Sequence, residues 1–164
     1  MRLDLKEILD KDGVIPFQNA MDLEGLDFPS ISRFLSPLQA EGKVTSQAGV
    51  LTLTGTAGAK LQCICDRCGA EYIRDAVVAL DTAVADELQD EENPDVYLLE
   101  DCGLDLDEVV STAFVLGLDT KLLCRPDCKG VCPSCGQNLN DGPCACRPEP
   151  DSRLAVLGQL LEQQ

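Results

Sequence analysis

The 164-residue chain contains no histidine and no tryptophan, and only 4% of its residues are aromatic. Without histidine it can build neither a His-centred catalytic dyad nor a His-ligated metal site. It also has no imidazole to change charge near neutral pH. Bases are scarce: 13 Lys and Arg face 29 Asp and Glu, for a net charge of −16. Proteins that coat duplex nucleic acid hold phosphates with Lys and Arg, so this balance argues against that class. No run of about 18 apolar residues occurs, which excludes a membrane-spanning helix. The opening Met-Arg-Leu-Asp-Leu-Lys-Glu-Ile-Leu-Asp alternates apolar and charged residues and lacks the apolar stretch of a secretory signal. A cytosolic protein is expected.

Against these absences stand 10 cysteines. A chain of this length buries enough core to fold without cross-links. In a reducing compartment, clustered thiols read as metal ligands before they read as disulfides, although the even count also suits a disulfide framework. Six cysteines lie close together as Cys124-x3-Cys128-x3-Cys132-x2-Cys135-x8-Cys144-x-Cys146, and two more form Cys65-x2-Cys68 far upstream. Cys132-Pro-Ser-Cys135-Gly136 and Cys65-Asp-Arg-Cys68-Gly69 share one form: two thiols two residues apart, then a glycine that lets the chain turn back. Tetrahedral zinc takes four such ligands, so eight cysteines make two sites. The preferred pairing is a local site of Cys132, Cys135, Cys144 and Cys146, and a long-range site joining Cys65 and Cys68 to Cys124 and Cys128. One alternative leaves Cys65 and Cys68 as a lone dithiol while the other six share one zinc; another is an iron–sulfur cluster. Sites closed by four protein ligands are structural rather than catalytic. Cys63 falls in phase with an apolar strand face and reads as core, and Cys102 as an isolated structural or surface thiol.

The rest of the chain predicts an α+β fold: an antiparallel β meander, one packed amphipathic helix and a C-terminal Cys-rich zinc module. From residue 51, Leu51, Leu53, Ala57, Ala59, Leu61 and Cys63 alternate with Thr52, Thr54, Thr56, Lys60 and Gln62, the pattern of a half-buried strand. Residues 72–84 repeat it with Ala76, Val78, Leu80 and Val84. Short strands are expected around 14–18 and 96–99, with a strand or short helix before the Asp12-Gly13 turn. Glu41-Gly42 and Ala48-Gly49 punctuate residues 38–64. Asp105-Leu106-Asp107-Glu108 has the form of a capping box opening a helix over 105–118. Leu106, Val109, Val110, Ala113, Phe114 and Gly117 give that helix its apolar face. The expected layout is a core domain over 1–120 with an acidic segment at 86–101, the zinc module over 121–147, and a C-terminal helix over 148–164 bearing Leu154, Leu157 and Leu161.

Charge is unevenly placed. Residues 75–120 hold 14 Asp and Glu and no Lys or Arg, so nearly all the net charge lies there. Such a surface keeps a protein soluble, and it also suits docking of a basic partner. Arg67, Arg125 and Lys129 sit at the knuckles. A four-thiolate zinc site itself carries about −2, so these bases read as screening the thiolates rather than as a phosphate site.

Together Cys65-Asp-Arg-Cys68, the 104–118 helix, Leu123-Cys124-x3-Cys128-Lys-Gly-Val-Cys132-Pro-x-Cys135-Gly-x-Asn138-Leu-Asn140, Cys144-x-Cys146 and Asp151-Ser-Arg-Leu154 resemble the bacterial YceD family, strongly after residue 60 and weakly before residue 40. That family is associated with accumulation of large-subunit ribosomal RNA, and its members are often encoded beside a small protein of the large ribosomal subunit. The resemblance implies a cytosolic factor in large-subunit biogenesis; it supplies neither a mechanism nor a metal. Asp119, where the family tends to proline, and Cys63 depart from its pattern.

The leading expectation is a non-enzymatic assembly factor that holds a basic ribosomal protein or a ribosomal precursor particle, with two structural zinc ions. The composition points to no membrane attachment and no small-molecule substrate, and leaves direct RNA contact undecided. A redox-responsive thiol or zinc protein, or a chaperone switched by zinc release, is the alternative. A Mg²⁺-dependent RNA hydrolase built on Asp105, Asp107 and Glu108 is a third, although capping alone accounts for those acids.

Overall fold

The computed structural model describes residues 1–23, 28–85 and 96–146. The expected C-terminal helix and most of the acidic segment lie outside the described residues. The chain runs through β1 (Arg2–Asp4), β2 (Gly13–Met21), β3 (Ile31–Phe34), β4 (Leu38–Gln47), β5 (Val50–Ile64), β6 (Glu71–Ala85), β7 (Val96–Leu98) and β8 (Gly103–Asp105), then α1 (Leu106–Gly117). The main sheet has the order β2-β4-β5-β6-β7, and a two-stranded sheet pairs β1 with β8.

The architecture is α+β, with an antiparallel centre in β2, β4, β5 and β6. It departs from a simple meander in three places. Strand β3 pairs not with its sequence neighbours but with Ile31↔Cys63 to Phe34↔Leu61 on β5, beyond the end of β4. This is possible because β5 runs for 15 residues and β4 covers only its first nine, Val50 to Gly58. Strand β7 pairs parallel to the end of β6. Strand β1 reaches across to residues 103–105.

The long strands β4, β5 and β6 each bury one face because side chains alternate. Leu51, Leu53, Ala57, Ala59, Leu61 and Cys63 of β5 are all buried, and so are Ala76, Leu80 and Val84 of β6. Helix α1 lays Leu106, Val109, Val110 and Phe114 over that face. Asp105 caps the helix, its carboxylate accepting from the Asp107 N–H at 3.0 Å. The return arm from Glu108 is absent among the described hydrogen bonds; Asp105 also ends β8, where it is paired with Arg2. Ala48-Gly49 forms the two-residue turn between β4 and β5, with φ of 52° and 81°, the left-handed pair that matches strand twist. Glu41-Gly42, expected as punctuation, lies mid-strand instead: Gly42 faces Gly55 across the β4–β5 ladder. No helix among the described residues is long and apolar enough to cross a membrane.

Candidate metal centres

The β5–β6 hairpin turns through Cys65-Asp66-Arg67-Cys68. The Gly69 N–H donates to the Cys65 carbonyl at 2.8 Å and the Cys65 N–H to the Ala70 carbonyl at 2.9 Å. The second knuckle repeats this geometry. The Gly136 N–H donates to the Cys132 carbonyl at 2.9 Å, and the Cys132 N–H to the Gln137 carbonyl at 2.8 Å. Both glycines adopt a positive φ, 70° and 73°, which a side chain would strain. Two identical turns 67 positions apart thus present their thiols alike.

The segment after α1 brings Cys124 and Cys128 to the first knuckle. Asp66 holds it there: its N–H donates to the Leu122 carbonyl at 2.9 Å, and its carboxylate accepts from the Leu122 N–H and the Ser30 hydroxyl. Those bonds, Ser30 first, hold the Asp66 carboxyl below the usual range. Leu122 is itself buried in the sheet core, so the second pair of cysteines arrives on an anchored strand of chain. Sequence reasoning assigns no such role to Asp66, Ser30 or Asn140. In the sequence Asp66 is only the second residue of the knuckle, and its partners are remote.

The sulfurs of Cys65, Cys68, Cys124 and Cys128 lie within 4.8 Å of one another, and so do those of Cys132, Cys135, Cys144 and Cys146. These are the only such groups of Cys, Asp and Glu among the described residues. Asp105, Asp107 and Glu108 therefore form no three-ligand cluster, and Asp107 accepts from the Asn19 amide at 2.7 Å. Cys63 lies in the sheet core and Cys102 stands apart, half-buried.

The donor sets fit a four-coordinate cation. Four sulfurs about 2.3 Å from one ion at tetrahedral corners stand about 3.8 Å apart. The Cys65–Cys128 and Cys68–Cys124 sulfurs are 3.8 Å and 3.7 Å apart, far beyond a disulfide bond of about 2.05 Å. Thiol ionisation is divided within each set. Burial pushes Cys65 up, but backbone N–H groups of Cys124, Cys68 and Arg67 outweigh it and bring the thiol down to about 6. Backbone N–H groups of Cys135 and Ser134 bring Cys132 to about 6 as well. Cys124 is pushed up to about 12 by burial and by its three sulfur neighbours, and Cys146 to about 12 chiefly by Cys135. Burial also pushes Cys128 up, but the Asn140 amide and the Gly130 N–H outweigh it and bring that thiol down. Cys124 and Cys146 rise beside sulfurs that ionise more readily, because like charges this close oppose one another. A divalent ion relieves that opposition, so both sets could hold metal, and all-thiolate donors suit zinc.

The surroundings differ. In the first site Cys65 and Cys128 are buried, whereas Cys135 of the second is exposed. Arg67 donates to the Cys128 carbonyl at 2.8 Å, and Arg125 stands 3.7 Å from Asp127. The Asn140 amide donates to the Cys128 sulfur at 3.4 Å, while its oxygen accepts from the Lys129 N–H at 2.8 Å. Partners of this kind orient a ligand, and their loss typically weakens metal binding about 10–100-fold. An Asn140→Ala variant is therefore expected to bind metal at the first site about 10-fold more weakly, with the second site unchanged. Competition with a chromophoric chelator reads both.

A family model described as large ribosomal RNA subunit accumulation protein YceD matches residues 53–161, more than half of the chain. The chain belongs to the YceD family. The matched region takes in most of β5, all of β6, both knuckles, α1 and all eight clustered cysteines. Uncharacterized proteins of Mycobacterium bovis and of two strains of Mycobacterium tuberculosis are each 33% identical over 128 residues, covering 76% of this chain. The chain spans 62% of the length of those relatives. No solved structure matches it. Asp119, which departs from the YceD pattern, accepts from Arg74 of β6 at 2.9 Å and so ties the end of α1 to the sheet.

Proposed function

We propose that this YceD protein is a non-enzymatic, cytoplasmic factor in large ribosomal subunit biogenesis that holds a basic ribosomal protein, alone or within a precursor particle. Family membership carries the biogenesis reading. The partner's chemistry is read from residues 75–120, where 14 acidic side chains stand with no base between them. Such a field steers a basic protein in and repels free RNA. The two four-cysteine groups hold zinc and act structurally, fixing the segment after α1 to the β5–β6 hairpin.

The test is capture of purified large-subunit ribosomal proteins on the immobilised, metal-loaded chain. One or a few basic proteins are expected to bind at low salt and to elute as ionic strength rises. Replacing the acids of 86–101 by lysine should reduce capture at least 10-fold. Capture indifferent to both salt and charge reversal would sink the proposal. A second reading, redox-responsive release of zinc, is favoured by the exposure of Cys135. It predicts loss of metal from the second site first under mild peroxide, together with a gain of holdase activity.

A further inference from the structure

The two long edges of the main sheet are built differently. Strand β2 forms one edge and carries Pro16 mid-strand, opposite Lys43. Proline has no N–H to offer, so this edge is poorly suited to pairing with another strand. Strand β6 forms the other. Strand β5 covers one side of β6 from Glu71 to Val84 with no register break, but β7 covers the second side only at Ala83–Ala85. Among the described residues, no backbone or side-chain group hydrogen-bonds the second side over residues 71–82. That stretch contains no proline, glycine or bulge. An unpaired, regular edge of this length is unusual in a soluble protein, because alternate N–H and C=O groups along it invite a further strand.

The side chains beside that edge have a definite chemistry. On the face away from α1, Ile73 is 64% and Val77 70% exposed. Between and beyond them stand Asp75 and Asp81. Lys60 lies 3.7 Å from Asp75, with both side chains largely in solvent, and Asp81 has no cation within ion-pair distance among the described residues. The edge also runs into the acidic stretch of residues 75–120. An added strand would meet apolar and acidic positions in alternation.

We propose that the β6 edge over residues 71–82 is the docking site of an extended, Lys- and Arg-bearing segment of a basic protein, which joins the sheet as a strand. Main-chain hydrogen bonds would give affinity. Apolar side chains over Ile73 and Val77, and basic ones against Asp75 and Asp81, would give selectivity. This inference rests on the reading that the partner is a basic protein, and it adds where and how that partner is held.

The probe is a 12-residue peptide, three repeats of Val-Thr-Lys-Thr, which puts valine and lysine in alternation on one face of an added strand, tested on the full metal-loaded chain. Fluorescence anisotropy reads binding, and amide hydrogen exchange reads its location. Binding is expected to protect amides within 71–82. It should weaken at least 10-fold when alternate peptide amides are N-methylated, and to a similar extent in an Asp75→Lys/Asp81→Lys variant with normal metal content. Four results would overturn the proposal: no binding, protection elsewhere, preference for an RNA 12-mer, or edge amides already protected in the free chain by its own segments or a second copy. If basic ribosomal proteins are still captured by the Asp75→Lys/Asp81→Lys variant but not after charge reversal of 86–101, this edge is wrong while the broader function stands.

Discussion

A Cys128→Ser variant is expected to hold one metal ion where the parent is expected to hold two, and to melt at least 10 °C lower. Cys128 is buried, its sulfur 3.8 Å from that of Cys65, and a serine hydroxyl at that position is a poor zinc ligand. The first site joins the tip of the β5–β6 hairpin to the chain that follows α1, so its loss releases a loop of more than fifty residues between Cys68 and Cys124. Structural zinc contributes about 10–16 kcal/mol of apparent binding energy in small peptides. A net loss of even about 5 kcal/mol is comparable with a whole domain's stability, and corresponds to about 10–20 °C at this size. Cys146→Ser should also lose one ion, yet leave the sheet's melting nearly unchanged. The four ligands of the second site all lie within residues 132–146, and no described residue after Leu122 belongs to the sheet's core. Elemental mass spectrometry and calorimetry on the two variants separate the cases. Equal melting temperatures would remove the distinction between a clip that holds the fold and a loop that lies outside the sheet's core.

What could be read from sequence divides by the range of the interaction. The alternation of β5 is local, and the residues it assigned to one face are the buried ones. The capping position and apolar stripe of α1 are local too, and Asp105 and Phe114 act as expected. The grouping of the cysteines was harder. Chemistry pairs knuckles in fours, but no spacing rule selects Cys124 and Cys128 for Cys65 and Cys68. That choice depends on Leu122 entering the core and on Asp66 fastening the chain beside it. The β1–β8 pair joins residues about a hundred positions apart, and β3 reaches β5 only because β4 stops short of β5's end. Gly42 misled for a related reason. A glycine reads as a break when only its neighbours in sequence are visible, whereas this one is fixed by the strand opposite.

That opposite strand makes Gly42→Ala and Gly55→Ala the most destabilising single-methyl additions expected in the sheet. A Cβ on Gly42 would stand 2.3 Å from the Thr54 carbonyl oxygen and 2.8 Å from the Gly55 Cα. A Cβ on Gly55 would meet the Glu41 oxygen at 2.3 Å and the Gly42 Cα at 2.8 Å. All four obstacles are backbone atoms, so no rotamer change relieves them; β4 and β5 must separate at the middle of the sheet. The space above Gly42 is already filled by Phe17 from β2, whose Cζ would lie 2.9 Å from the new methyl. Overpacking typically costs about 1–3 kcal/mol when side chains can shift, and here strand separation adds to it, so about 3 kcal/mol or more is expected for each. The two costs should not add. Once one substitution has spread the strands, the second meets less resistance, and a double-mutant cycle should show coupling of about 1 kcal/mol or more. Gly58→Ala is the control: its nearest atoms, the Ala76 oxygen and Val77 Cγ2, are 3.2 Å and 3.3 Å away, and the loss of unfolded-state freedom offsets the tighter contact. Urea unfolding reads all four variants through the midpoint at constant slope. If Gly42→Ala and Gly58→Ala behaved alike, the close approach of β4 to β5 would be wrong, and with it the account of how the sheet seats Phe17.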